Sequence, residues 1–247
     1  MAVAVMGEIM RLDKFLADMG KGSRSQVKEA GKKGRIYVNG QVEKILKRKI
    51  DPNIDQVTLD GEPVQYRKWE YFLLNKPKGV VSATEDKRYK TVVDLLGKDG
   101  RRDLFPVGRL DLDTEGLLLL TNDGDMAHRL LSPKKHVDKT YYARVSGRLP
   151  KDAVQIMAQG MELEDKTRVM PGRLEIAAQG QEEAEIYLTI QEGKFHQVKR
   201  MFQVLGCRVE YLKRVSFGPL ALEEDLLPGQ YRRLTEGEIE SLRENAP

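Results

Sequence analysis

This 247-residue chain has one cysteine, one tryptophan, three histidines and few aromatics of any kind. A lone Cys207 rules out an internal disulfide, and a reducing, cytoplasmic setting fits. No stretch approaches the roughly 20 apolar residues that a membrane-spanning helix needs, so no membrane association is expected. The opening MAVAVMGEIM lacks a basic segment ahead of its apolar residues, which argues against a secretory signal and puts the expected start of folding at Met10. His128, His136 and His196 are scattered without cysteine partners, so they read as structural and no metal site is expected. There is no convincing internal repeat and no low-complexity tract.

Charge, by contrast, is plentiful and uneven. Met1–Trp69 carries 14 Lys+Arg against 9 Asp+Glu, whereas Glu70–Pro247 carries 28 against 29. The excess is densest between Met10 and Lys49, with 12 basic residues against 4 acidic, a density that points to a polyanion-binding face. In RLDKFLADMG, Leu12, Phe15, Leu16 and Met19 recur at helical spacing and Gly20 supplies a stop. Ser23 can cap a second helix whose exposed side carries Arg24, Lys28, Lys32 and Lys33. Arg35–Val38 then predicts a strand, Asn39-Gly40 a hairpin turn, and Gln41–Ile45 the return. The expected organisation is a basic unit over 10–63, a linker over 64–69 and a larger unit over 70–247.

The larger unit alternates short strands and helices. Strands are expected at Tyr71–Leu74 with Val80 and Val81, at Leu117–Leu120, Lys139–Gly147, Ala184–Gln191 and Cys207–Val215. Helices are expected at Thr91–Gly97, Asp125–Leu131, Lys151–Gly160 and Phe195–Leu205, and the NKPKG turn should project Lys76 and Lys78. Strands outnumber helices and the connections are short, which predicts an α+β fold on a mixed, largely antiparallel sheet. The stretch GRLDLDTEGLLLLTNDG places a lone candidate nucleophile, Asp111, in a loop directly before a wholly apolar core strand. Gly108 allows close backbone approach there, and Arg109 can clamp a phosphate with two parallel hydrogen bonds.

These segments carry two resemblances. RLDKFLADMG, GSRSQVKEAGKKGRIYVNGQ and QVTLDGEPV together resemble the small RNA-binding domain of ribosomal protein S-four, the αL motif, which implies phosphate contacts at Arg24, Lys32, Lys33 and Arg35. YFLLNKPKGVVSATED, FPVGRLDLDTEGLLLLTNDGDMAHRLLSP, HVDKTYYARVSG and EGKFHQVKRMFQVLGCRVEYLKRVSFG resemble, in order, a ribosomal RNA pseudouridine synthase, most closely the branch acting on the small subunit (16S). The large-subunit branch is the runner-up. The resemblance implies a catalytic aspartate at Asp111, a uracil-stacking aromatic at Tyr141, a basic partner of the aspartate at Lys199 and an apolar pocket residue at Leu212. It also implies no cofactor, a monomer, and ribosomal RNA as partner, either naked or within an assembling small subunit.

The chemistry agrees with these residue types. Making pseudouridine breaks the N1–C1′ bond, turns the freed uracil and joins its C5 to the same C1′, with no redox step or net hydrolysis. A carboxylate suffices, attacking sugar or base, and it must be ionised. Lys199, with Arg200 as the alternate, would keep it so, and Arg109 would hold the RNA open around a flipped nucleotide. Tyr141 and Tyr142 alternate across a strand, so only one of them can meet the base. Two other readings stay open: a glycoside hydrolase using Asp111 with Glu115, and a non-catalytic ribosome-assembly factor.

Overall fold

The computed structural model describes residues 9–101, 103–132 and 135–245. The chain divides into two compact units: Met1–Trp69 with Gly97–Asp103, and Glu70–Leu96 with Leu104–Pro247. Gly97–Asp103 lies inside the stretch that the sequence assigns to the larger unit, yet it clusters with the first. Arg101 explains this locally. Its buried guanidinium donates to the Arg67 carbonyl at 2.6 Å and pairs with Asp103 at 2.7 Å.

The first unit runs β1 (Met10–Arg11), α1 (Leu12–Asp18), α2 (Arg24–Lys32), β2 (Ile36–Val38), β3 (Gln41–Val42), β4 (Lys49–Ile50), β5 (Val57–Leu59) and β6 (Glu62–Pro63). β3-β2-β5-β6 form one small sheet and β1 pairs with β4. Leu12, Phe15 and Leu16 from α1 meet Val27, Ile36, Val38, Ile50 and Val57 in a single core, so the helical spacing read from the sequence is the buried face. Ser23 caps α2 through a reciprocal capping box with Gln26. Asn39 and Gly40 both take positive φ, +53° and +79°, as a tight hairpin turn requires. The return strand is shorter than expected and stops at Val42.

The second unit continues with β7 (Tyr71–Lys76), β8 (Phe105–Pro106), β9 (Glu115–Thr121), α3 (Gly124–Leu131), β10 (Lys139–Ser146), α4 (Ala153–Gln159), β11 (Met161–Glu162), β12 (Arg168–Val169) and β13 (Arg173–Gln179). It closes with β14 (Glu183–Ile190), α5 (Gln197–Val204), β15 (Arg208–Phe217), β16 (Leu220–Ala221), β17 (Tyr231–Arg233) and α6 (Glu236–Asn245). The main sheet has the order β13-β14-β10-β15-β9-β7-β17, with β8 paired to β9 and β16 to β15. All of these pairings are antiparallel except β15–β9. The α+β class with a mixed sheet is therefore the observed fold.

β9 shows why its leucine run is wholly apolar. Leu118 and Leu120 enter a core shared with Tyr141, Leu212, Val198 and Phe202, while Leu117 and Leu119 enter a second core beneath α3 and α6. All four are fully buried, because a central strand covered on both faces has no polar side to alternate with. Burying each one stabilises the fold by about 1.5–3 kcal/mol. The parallel pairing at the start of β9 needs Gly116: its φ is +104°, and a Cβ there would lie 2.2 Å from the Arg214 carbonyl oxygen.

Several local expectations shift. Thr91–Gly97 is no regular helix; a 3₁₀ segment spans Asp94–Asp99 and breaks at Gly97, where φ is +51°. Val80 and Val81 do not extend β7; Val81 makes only an isolated bridge to Thr91. α5 begins at Gln197 rather than Phe195, because His196 takes a left-handed φ of +50° and cannot join the helix. β13 and α6 carry no apolar pattern distinctive enough to have been expected.

Candidate active site

The loop from Gly108 to Thr114 is bonded into place from below. Ser82 Oγ donates to the Leu110 carbonyl at 2.9 Å and accepts from the Leu110 N–H at 3.0 Å. The Thr114 N–H donates to the Asp111 carbonyl at 3.1 Å, and the Gly79 N–H to the Leu112 carbonyl at 2.8 Å. Lys76, expected to project into solvent, is instead fully buried at the end of β7. Its ammonium donates to the carbonyls of Asp111 (3.0 Å), Thr114 (2.8 Å) and Pro77 (3.1 Å). A buried strand continues burying its last residue, and three carbonyls around one ammonium satisfy the charge that this burial strips of water. Burial nevertheless pulls its pKa down to about 8, although Asp111, Asp113 and Glu115 oppose the shift.

With its backbone so held, Asp111 turns its carboxylate toward α5. Lys199 Nζ lies 3.1 Å from Asp111 Oδ2 and 2.6 Å from Asp113 Oδ1. His196 Nε2 lies 3.5 Å from Asp111 Oδ1. Burial by itself would lower the Lys199 pKa, but hydrogen bonds and charge from Asp113 and Asp111 outweigh it and leave the group above its ordinary value. Asp113 moves the other way: burial pushes it up, and Lys199 more than reverses this, so its carboxyl sits below the usual range. The pairing across 88 residues thus yields an ammonium that stays protonated beside the Asp111 carboxylate.

Arg109, Leu110, Asp111, Tyr141, Lys199 and Leu212 line one recess of about 60 Å³. Tyr141 and Leu212 reach it from neighbouring strands, β10 and β15, and both belong to the core on that face of the sheet. Tyr142 points to the opposite face, its ring 5.5 Å from Tyr187 and 6.1 Å from Tyr211. Glu115 is also engaged there, accepting 2.7 Å from Tyr211 Oη. This leaves it poorly placed as a second acid for Asp111, which weakens the glycoside hydrolase reading. A wider groove of about 620 Å³ shares Arg109, Leu110, Asp111 and His196 with the recess and extends past Ser82, Tyr89 and Phe195. Arg109 is exposed and lines both.

The structure separates the two basic neighbours on α5. Arg200 does not join Lys199; it pairs with Asp165 and donates to the Phe195 carbonyl at 3.3 Å. Lys76 and His196 are neighbours of Asp111 for which the sequence suggests other places, a projecting turn lysine and a scattered structural histidine. The first ends a strand whose cover on both faces only the fold reveals, and the second depends on a left-handed residue that no local pattern announces. In the first unit the ion pairs of Lys33 and Arg35 face water: Lys33 pairs with Glu29 at 2.7 Å and Arg35 with Asp60. Arg24 and Lys32 are exposed or nearly so on α2, so only part of the basic charge of this face is committed to the ion pairs described. Among the described residues no group of three His, Cys, Asp or Glu side chains could hold a metal ion, and no helix is long and apolar enough to cross a membrane.

Two family models match successive parts of the chain. The RNA pseudouridylate synthase family model matches residues 70–204, and the S4 domain model matches residues 10–53. An RNA pseudouridine synthase of Bacillus subtilis is 49% identical over 236 residues, which cover 95% of this chain and 99% of that protein. The ribosomal small subunit pseudouridine synthase A of Yersinia pestis is 41% identical, covering 94% and 98%. The ribosomal large subunit pseudouridine synthase B of Bacillus subtilis is also 41% identical, covering 94% and 95%. A crystal structure of a pseudouridylate synthase superposes with a TM-score of 0.66 at 37% identity, over 94% of this chain and 99% of that one. The chain belongs to the RNA pseudouridylate synthases, enzymes of the isomerase class, and carries an S4 domain ahead of its catalytic unit.

Proposed function

We propose that this protein converts one uridine of small-subunit (16S) ribosomal RNA to pseudouridine, with Asp111 as the nucleophile. The observation that carries the reading is the meeting of Asp111, Lys199, Tyr141 and Leu212 in one recess, from four separate segments of chain. Lys199 sets its ammonium 3.1 Å from the carboxylate, Tyr141 offers a flat face to the uracil, and Leu212 closes the pocket with an apolar wall. Arg109, exposed beside them, holds the RNA backbone or fills the space left by the extruded base. Arg24, Lys32, Lys33 and Arg35 of the S4 domain bind phosphates, which fixes orientation more than sequence. The reaction balances without a cofactor: the N1–C1′ bond breaks, a C5–C1′ bond forms, C5 loses its proton and N1 gains one. The enzyme acts as a cytoplasmic monomer, on naked RNA or on an assembling subunit.

The 41% identity to a large-subunit synthase supports a second reading, the same chemistry on 23S RNA. Because C5 exchanges its hydrogen for C1′, RNA made with C5-tritiated uridine releases tritium to water as the product forms. Release is expected from 16S and not from 23S transcripts, and it should vanish in Asp111→Asn while RNA retention on filters persists. Release from 23S alone would transfer the reading to the large subunit. Free base in the products would indicate a hydrolase, and no release from either RNA, naked or in particles, would leave only a binding factor.

A further inference from the structure

Phe195 stands largely in water, 76% exposed, whereas Phe15, Phe72, Phe202 and Phe217 are buried. It is not displayed by a loose loop. Gln197 Oε1 accepts from the Lys194 N–H at 2.9 Å, Gln197 Nε2 donates to Glu192 at 2.9 Å, and Arg200 donates to the Phe195 carbonyl. One face of the ring stacks on the His196 imidazole, with centroids 3.7 Å apart and planes at 21°. His196 in turn stands 3.5 Å from Asp111 Oδ1. The left-handed turn at His196 thus holds two rings in series, the inner one touching the Asp111 carboxylate and the outer one open to solvent.

We propose that Phe195, backed by His196, is a stacking platform for a nucleobase adjacent in the RNA to the target uridine. The platform lines the groove that also holds Asp111, Arg109 and Tyr89. An exposed aromatic beside cations such as Arg109 and Lys194 is a combination that captures single-stranded nucleic acid, because each base has a π face and each linkage a negative charge. Standing one ring beyond the group that touches Asp111, Phe195 is placed to meet a neighbour of the uridine rather than the uridine itself. The proposal rests on the RNA isomerase reading above, and it adds a residue that selects and steadies the flanking nucleotide.

Tritium release from C5-labelled ribosomal RNA, naked and in subunit particles, tests it through a split of KM from kcat. Phe195→Ala should raise KM by roughly 5- to 100-fold on naked RNA with kcat little changed, given what a single base-aromatic stack contributes. Phe195→Trp should restore KM and Phe195→Leu should not, since bulk without a π surface cannot stack. Because the ring is 76% exposed, these variants should fold as the wild type does, and circular dichroism checks it. A direct reading comes from Trp69→Phe combined with Phe195→Trp, which leaves one indole whose emission a stacked base should quench when RNA is added. Wild-type turnover together with an unchanged KM in Phe195→Ala, equal rescue by Leu, or an unquenched indole would overturn the platform alone. A defect confined to ribonucleoprotein particles would overturn it too, reassigning Phe195 to a protein-binding role. Absence of tritium release from the wild type would instead overturn the isomerase reading beneath it.

Discussion

The Asp111 recess and the basic face of the S4 domain both concentrate charge, but they hold it in opposite ways. In the recess, Lys199 is three-quarters covered and fixed by two carboxylates, and Lys76 is fully enclosed by three carbonyls. On the S4 domain, Arg24 and Lys32 face water, and the ion pairs of Lys33 and Arg35 are half-exposed. Charges held in a low-dielectric site act strongly on one another, and their geometry sets chemistry. Charges in water are screened within about 8–10 Å and set affinity. The two regions should therefore fail differently.

Lys199→Gln should break the recess most severely. Losing the ammonium that faces Asp111 should lower kcat by about 100-fold or more, the usual scale for a preorganised electrostatic interaction. Stability should fall by only about 1 kcal/mol, because the pair is partly solvated. Chemical denaturation with tritium-release kinetics on one preparation checks the contrast, and equal damage to stability and turnover would contradict it.

Lys76→Met should show the reverse balance. Three buried carbonyls lose their donor, so stability should drop by about 2–4 kcal/mol, with turnover falling as the Asp111 loop loosens. The pH dependence carries a sign. With a folded pKa of about 8 against an ordinary 10.5, the unfolded chain binds more protons between those values. Wild-type stability at this position should rise with pH through that window, and the rise should disappear in the variant. Urea titrations at pH values of about 7.5 and 10, on either side of the folded pKa, would show it.

Removing the four basic residues together, Arg24→Ala, Lys32→Ala, Lys33→Ala and Arg35→Ala, should have the mildest effect. RNA affinity should weaken by roughly tenfold at moderate salt, and the log-log salt slope should shrink by about 0.7 for each phosphate no longer neutralised on a single strand. Saturating kcat should hold. A fall in kcat with no change in salt slope would mean that the S4 domain does more than supply affinity.

Much of this is legible in the chain. Leu12, Phe15 and Leu16 announce a buried helical face, Ser23 its neighbour's cap, and Leu117–Leu120 a central strand. Such features depend on residues a few positions apart, where spacing and geometry are nearly the same thing. Lys76 escapes that logic because a lysine in an NKPKG turn looks solvated until its strand is seen to be covered on both faces. The start of α5 shifts by two residues because His196, rather than a glycine or proline, ends the loop.

The sequence by itself determined the α+β class, the basic first unit, the loop that carries Asp111 and the strand that follows it, since each rests on local periodicity or composition. Only the tertiary structure decided that Lys199 and not Arg200 faces Asp111, that Glu115 belongs to the opposite side of the sheet, and that Lys76 anchors the loop from within. Those choices join residues many positions apart, and what selects among chemically similar side chains at that range is the direction a folded backbone gives them.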